Sequence, residues 1–166
     1  MHRYKILIEY VGTNFIGWQI QSKGSSIQKL IQTKISKLLK EKILLIGSGR
    51  TDSGVHAIEQ SAHFDCKREI QNLDRFLKSI NHFVNNKYVS IINIKKKNLN
   101  FHARFSAKQR IYKYVIFNRL SRPSIEKERG WHIIKELDVS LMKRGAKKFL
   151  GTKDFSTFRS SSCNAK

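Results

Sequence analysis

From Tyr4 to Tyr10 the chain alternates, with Tyr4, Ile6, Ile8 and Tyr10 on one side and Lys5, Leu7 and Glu9 on the other. A period of two is that of a strand with one face on a core. Beyond a glycine-containing loop (Gly12 to Gly24) the period changes. Ile27, Leu30, Ile31, Ile35, Leu38 and Leu39 fall on one helical stripe, and Ser25 and Gln28 are spaced as a capping box at its start. Ile43 to Ile46 reads as a buried strand. A Gly-rich loop follows, and then Ala62, Phe64 and Cys66 alternate with Ser61, His63 and Asp65, so the two strands are expected to pair around the loop. Asn72 caps a second helix in which Leu73, Phe76, Leu77, Ile80, Phe83 and Val84 recur at i, i+3, i+4 and i+7, and Tyr88 to Ile94 closes the unit as a strand.

The order strand, helix, strand, strand, helix, strand is that of a ferredoxin-like βαββαβ unit. This is an α+β fold whose antiparallel sheet carries helices on one face and leaves the other free to bind. We assign this first half to residues 1–100. Downstream, Arg110 to Phe117 alternates again, Pro123 and Gly130 bracket a loop, and Asp138 caps a helix containing Leu141, Met142, Phe149 and Leu150. Residues 101–166 therefore read as the beginning of a second, similar half.

At 166 residues and 40% hydrophobic composition the chain can bury a real core and lies outside the disordered regime. Its charge changes the picture more. Lys and Arg number 33 against 12 Asp and Glu, a net charge of +21. An AT-biased coding sequence, rich in Lys, Ile and Asn, accounts for part of this. It does not account for the segregation: no acid occurs from Arg75 to Ile125, a stretch that contains Lys95, Lys96, Lys97, Arg104, Arg110 and Arg119. Sign-segregated charge of this kind is a docking surface for a polyanion. Cys66 and Cys163 are far apart and form no Cys-x-x-Cys pair, so a disulfide framework or structural zinc site is not indicated, and a reducing compartment fits. His63, His82, His102 and Cys66 lack ligand spacing, and we expect no metal. No apolar run approaches the ~18 residues of a membrane span, so the expectation is a soluble, cytoplasmic protein.

The run Gly47-Ser48-Gly49-Arg50-Thr51-Asp52-Ser53-Gly54 invites nucleotide-binding readings. A Walker loop requires Lys where Val55 stands, and a dinucleotide fingerprint starting at Gly47 requires Gly where Asp52 stands. A Ser-His-Asp arrangement from Ser53, His56 and Asp52 puts all three residues too close in one loop for triad geometry, without a nucleophile elbow. What the loop does present is one carboxylate beside Arg50, on a backbone that glycines allow to turn sharply and approach a ligand. A lone loop aspartate is by default a turn or capping residue.

Context changes that default. The string from Gly49 to Ala57 resembles the catalytic loop of the tRNA pseudouridine synthase A family. Other pieces agree in order and spacing: Tyr10 to Gln19 (YVGTNFIGWQ), Phe101 to Ala107 (FHARFSA), Arg110 to Tyr114 (RIYKY) and Gly151 to Arg159 (GTKDFSTFR). The resemblance spans the whole chain. It implies an isomerase that converts uridine to pseudouridine at positions 38 to 40 of the tRNA anticodon arm, as a homodimer and without cofactor. Asp52 would be the catalytic group acting at the glycosidic carbon of a flipped-out uridine, with unstacking costing a few kcal/mol. Tyr112 matches the tyrosine that stacks on the flipped base, although it also reads as an inward core aromatic on a strand. Arg50 matches the arginine beside the aspartate. Arg104 and Arg110 match phosphate or active-site contacts, and read about equally well as solvated surface arginines. His56 is expected to shape the loop through a hydrogen bond and Trp18 to pack. Family members continue beyond the position of Lys166, so the chain reads as C-terminally truncated, with one wall of the cleft missing and weak or absent turnover. Two alternatives remain: a non-catalytic RNA-binding ferredoxin-like module, since such sheets also stack bases, and, more remotely, a nucleotide hydrolase using Gly47 to Gly54.

Overall fold

In a computed structural model, which describes residues 1–85 and 87–158, the elements run β1 (His2–Tyr10), α1 (Ile27–Leu39), β2 (Ile46–Gly47), β3 (Ala57–Cys66), α2 (Leu73–Val84), β4 (Val89–Lys97), β5 (Ile116–Asn118), β6 (Trp131–Ile133) and α3 (Val139–Lys147). Short 3-10 turns lie at Gly12–Asn14 and Ser156–Phe158. The chain divides into two compact units, Met1–Lys113 and a second opening at Tyr114.

In the first unit the strand order is β2-β3-β1-β4, and every pairing is antiparallel. This is the ferredoxin-like arrangement expected from the order of elements. Alternation sorts the side chains. Tyr4, Ile6, Ile8 and Tyr10 of β1 and Ala62, Phe64 and Cys66 of β3 are buried, and they share one core with Ile27, Ile31 and Ile35 of α1 and Phe76, Ile80 and Val84 of α2. Fully burying one such isoleucine contributes about 1.5–3 kcal/mol. The Tyr4 hydroxyl, buried among them, accepts a hydrogen bond from Ile70 N at 2.8 Å, so its polar end is satisfied. Arg3, Lys5, Leu7 and Glu9 face the opposite way.

Helix starts follow side-chain chemistry. Asn72 accepts from Arg75 N at 2.8 Å and Asp138 from Leu141 N at 2.8 Å, as expected from the sequence. At α1 the expectation fails by one residue. The cap is Ser26, which accepts from Lys29 N, and there is no capping box with Gln28. Gln28 is used elsewhere: its amide donates to Leu45 O at 2.8 Å and its oxygen accepts from Ile20 N at 3.1 Å.

That use explains a second difference. The strand expected at Ile43 to Ile46 shrinks to the two residues of β2. Ile43 and Leu45 are buried, yet their backbone is served by α1 side chains: Ile43 N donates to Ser36 Oγ (3.1 Å) and Leu45 N to Gln32 Oε1 (3.0 Å). Polar helix side chains here stand in for a neighbouring strand.

The second unit is built around a parallel pair, with Ile116, Phe117 and Asn118 opposite Trp131, His132 and Ile133. Asn118 ties it down by donating to the carbonyls of Ile133 (2.9 Å) and Lys135 (2.8 Å) and accepting from Leu137 N (3.1 Å). A Cβ on Gly130 would stand 2.7 Å from the Phe117 ring, so only glycine fits there. Of the stretch expected as a strand from Arg110 to Phe117, only Ile116 and Phe117 join a ladder, in β5 (Ile116–Asn118). The Val115 carbonyl still accepts from Trp131 N of β6 at 2.8 Å, whereas residues 110–114 have the alternation but, among the described residues, pair with no neighbouring strand. The last helix stops at Lys147, short of Phe149 and Leu150, and Phe149 instead gathers with Phe155 and Phe158 at centroid distances of 6.1 and 5.3 Å. Arg159, the end of the last matching motif, and the polar tail with Cys163 lie outside the described residues.

Candidate active site

The loop joining β2 to β3 carries Asp52, and its shape is set by the segment that follows β1. Trp18 N donates to Thr51 O at 3.0 Å, and the Tyr10 hydroxyl lies 2.8 Å from Thr51 Oγ1. On the far side of Asp52, Ser53 Oγ and Gly54 N both donate to Phe15 O, at 3.1 and 3.4 Å, and Gly12 N donates to His56 Nδ1 at 3.0 Å. That last bond is of the loop-shaping kind expected of His56. Within the loop, Val55 N closes a turn onto Asp52 O at 3.2 Å, with Gly54 at φ +80. At its base, Ser48 N donates to Ser61 O and Gln60 Nε2 to Gly49 O.

Two glycines make this interlock possible. A Cβ on Gly12 would lie 2.0 Å from Val55 O, and one on Gly17, at φ +108, would lie 2.5 Å from Thr51 O. Trp18 is buried against Tyr10, with ring centroids 6.2 Å apart, and its indole fills the space beside Gly47. Asp52, in the middle of all this, is exposed. The loop therefore presents one carboxylate to solvent from a backbone held on both flanks.

A second segment crosses the sheet face opposite the helices. Arg3 Nε and NH2 form a fork on Asp65 at 2.7 Å each, and its NH1 donates to the carbonyls of Leu99 and Phe101, both at 2.6 Å. The guanidinium holds the Asp65 carboxyl below its ordinary pKa. Beside this latch, the buried His63 ring accepts from Ala103 N at 3.1 Å through Nδ1. Burial, with Arg3 and His102 adding to it, pushes the His63 pKa down to about 4, so the ring is the neutral acceptor this bond requires. His102 packs edge-on to His63 at 4.8 Å and against Phe105 at 4.5 Å.

This crossing brings Arg110 round to the loop, with Arg104 joined to it through its carbonyl. Arg110 NH2 donates to Ser48 O at 2.9 Å and to Arg104 O at 3.2 Å, and its Nε lies 3.6 Å from the Cβ position of Gly49. The Arg104 guanidinium sits over the Phe105 ring, 5.8 Å from its centroid. Arg50 is exposed on the loop itself. Tyr112 follows Arg110 by two residues; it is 66% exposed, outside any strand, and is not an inward core aromatic.

A family model described as tRNA pseudouridine synthase matches residues 6–106, which run from the middle of β1 through β4 and hold the Asp52 loop and the Phe101 to Phe105 segment. The chain belongs to the tRNA pseudouridine synthase family. Its members are isomerases. Over all 166 residues it is 78% identical to the tRNA pseudouridine synthase A of Pelagibacter ubique (strain HTCC1062). It is 41% identical, over 99% of its length, to the tRNA pseudouridine synthase A of Anaplasma phagocytophilum (strain HZ). It spans 68% and 67% of those two proteins. Asp52, Arg50 and Arg104 fall inside the matched residues 6–106, and Arg110 and Tyr112 just beyond them. Among the described residues no helix is long and apolar enough to cross a membrane.

Sequence reasoning missed Tyr10 and Thr51. Tyr10 sits in phase with Tyr4, Ile6 and Ile8 and reads as core, which it also is, at 2% exposure. The signal that sets it apart is chemical: it is the one hydroxyl-bearing side chain at the loop end of that row.

Proposed function

We propose that the chain isomerises uridine to pseudouridine in tRNA, at positions 38 to 40 of the anticodon arm, with Asp52 as nucleophile. The observation that carries this reading is an exposed carboxylate on a loop pinned on both sides, in a chain of this family. The Asp52 carboxylate attacks the ribose C1′ of a flipped-out uridine. The C1′–N1 bond breaks and its electron pair leaves on the uracil nitrogen. The base rotates, C5 attacks C1′ and displaces the carboxylate, and the proton on C5 is lost while N1 gains one. No electrons are gained or lost overall, so no cofactor is called for. Tyr112, whose ring is accessible, stacks on the displaced base. Arg50 fills the space the base vacates, and Arg104 and Arg110 contact phosphate or line the site. The basic stretch from Arg75 to Ile125 supplies a polyanion-binding surface. We place the active form in the cytoplasm as a homodimer, and take residues 101–166 as the beginning of a second half of similar fold.

The test is tritium release from tRNA labelled at uridine C5, without added metal, for the chain and an Asp52→Ala variant. Release by the former and not the latter is expected. Tight tRNA binding with no release from either supports a non-catalytic RNA-binding module or an inactive truncated synthase instead.

A further inference from the structure

We propose that the Tyr10 hydroxyl, through Thr51, is a positioning element for Asp52, fixing the direction in which the carboxylate is presented. The inference rests on the proposed role of Asp52 and deepens it. Three observations support it. Tyr10 is the last residue of β1 and is 2% exposed, so its ring is fixed by the core while its oxygen reaches out of it to Thr51 Oγ1 at 2.8 Å. Thr51 is the residue directly before Asp52, and its carbonyl is independently held by Trp18 N at 3.0 Å, so both its side chain and its backbone are tied. Finally, the register of β1 on β3 shifts between Ile8 and Tyr10, the kind of irregularity that re-aims a side chain beside a site. Burial also raises the Tyr10 pKa, which keeps the proton that this hydroxyl pair shares. The flank after Asp52 is tied by Phe15 O and Gly12 N, through main-chain atoms of the intervening turn. On the flank before it, Gln60 and Arg110 hold the carbonyls of Gly49 and Ser48 further back, and the Tyr10–Thr51 pair is the side-chain tie on the residue next to Asp52.

Tyr10→Phe removes one oxygen and leaves the ring on Trp18, and Thr51→Val removes the partner oxygen. Each variant is expected to lower kcat for tritium release about tenfold, the size of one aligned hydrogen bond, with KM for tRNA unchanged. Thr51→Ser restores the rate, and the double variant is no slower than either single one, because both delete the same interaction. Independently of activity, amide hydrogen exchange at Trp18 and Val55 is expected to quicken in Tyr10→Phe while the amides of β1 and β4 keep their native rates. Native exchange at Trp18 and Val55, faster exchange with native kcat, or single-variant losses that multiply in the double variant would each overturn the proposal. Should the unmodified chain release no tritium, the functional reading fails, and the exchange measurement alone then decides whether Tyr10 fixes the loop.

Discussion

Gly17 is where the two interlocking segments come closest, and replacing it with alanine tests the interlock directly. At φ +108 a side chain costs about 1–3 kcal/mol in backbone strain. The new Cβ would stand 2.5 Å from Thr51 O and 3.2 Å from the carbonyl carbon of Asp52. Both are backbone atoms, so no flexible side chain can yield, and the Thr51 carbonyl must retreat by about 0.5 Å to restore even a 3.0 Å contact. That retreat misaligns the 3.0 Å bond from Trp18 N, worth about 0.5–1.5 kcal/mol. Together the two effects amount to about 2–4 kcal/mol, out of a total stability on the order of 5–15 kcal/mol for a small domain. Urea unfolding measures that loss of stability and tritium release from labelled tRNA its catalytic consequence, and Gly17→Ala is expected to lose in both. A control is available in Gly145 of α3, where an added Cβ meets nothing within 4 Å. Alanine there should be neutral or stabilise by up to about 1 kcal/mol through helix propensity. A Gly17→Ala variant that keeps both the native midpoint and the native rate would show that the two segments do not hold each other as described.

Two further predictions concern the segment latched across the open sheet face. His63 has a folded pKa near 4, below its ordinary 6.5, so its neutral form is favoured by folding. Its contribution is complete above pH 6.5, declines as pH falls towards 4 and is constant below that, at most about 3 kcal/mol in all. Asp65, Arg3 and His102 surround it, and Asp65 titrates lower still. The measurement is therefore the stability difference between the native chain and His63→Gln across pH 4 to 7, and a difference that does not change with pH refutes the assignment. Arg3→Met removes four hydrogen bonds and leaves the Asp65 carboxylate and the carbonyls of Leu99 and Phe101 without their shared donor. Because both partners of the pair retain some exposure, we expect a loss of about 2–3 kcal/mol rather than the full cost of a buried charge. A loss under about 0.5 kcal/mol in urea unfolding would contradict it.

Where an element's own residues dictate it, the sequence was readable. The stripe from Leu73 to Val84 behind Asn72 is α2 with that cap, and the alternation around Ile6 and Phe64 is β1 against β3. Legibility ended where the deciding partner lies elsewhere in the chain. Nothing local distinguishes Ile43 to Leu45, served by Ser36 and Gln32 of a helix, from a strand served by a strand. Ser25 and Ser26 are equally good caps until the chain direction is known, and the alternation of residues 110–115 says nothing of whether a neighbour is there to pair with. The same holds at the site. Asp52 stood out through its loop, while the contacts that hold the loop come from residues 10 to 18, which carry the signature of core and turn. The Arg110 tether to Ser48 spans 62 positions and leaves no local mark.

The pairing of β1 with β3 has a consequence for how the protein assembles. Its register joins residues 47 to 64 positions apart, from Tyr10 with Ala57 to His2 with Cys66, and every tie on the Asp52 loop from residues 10 to 18 depends on that closure. Helices α1 and α2 can form from local contacts within microseconds, but a sheet built from such distant partners pays its chain-closure entropy before it gains its contacts and therefore forms late. The Asp52 loop thus acquires its geometry only with that closure. A nascent chain that has emerged through β3 but has not yet docked its first strand carries the whole motif in sequence and none of its geometry.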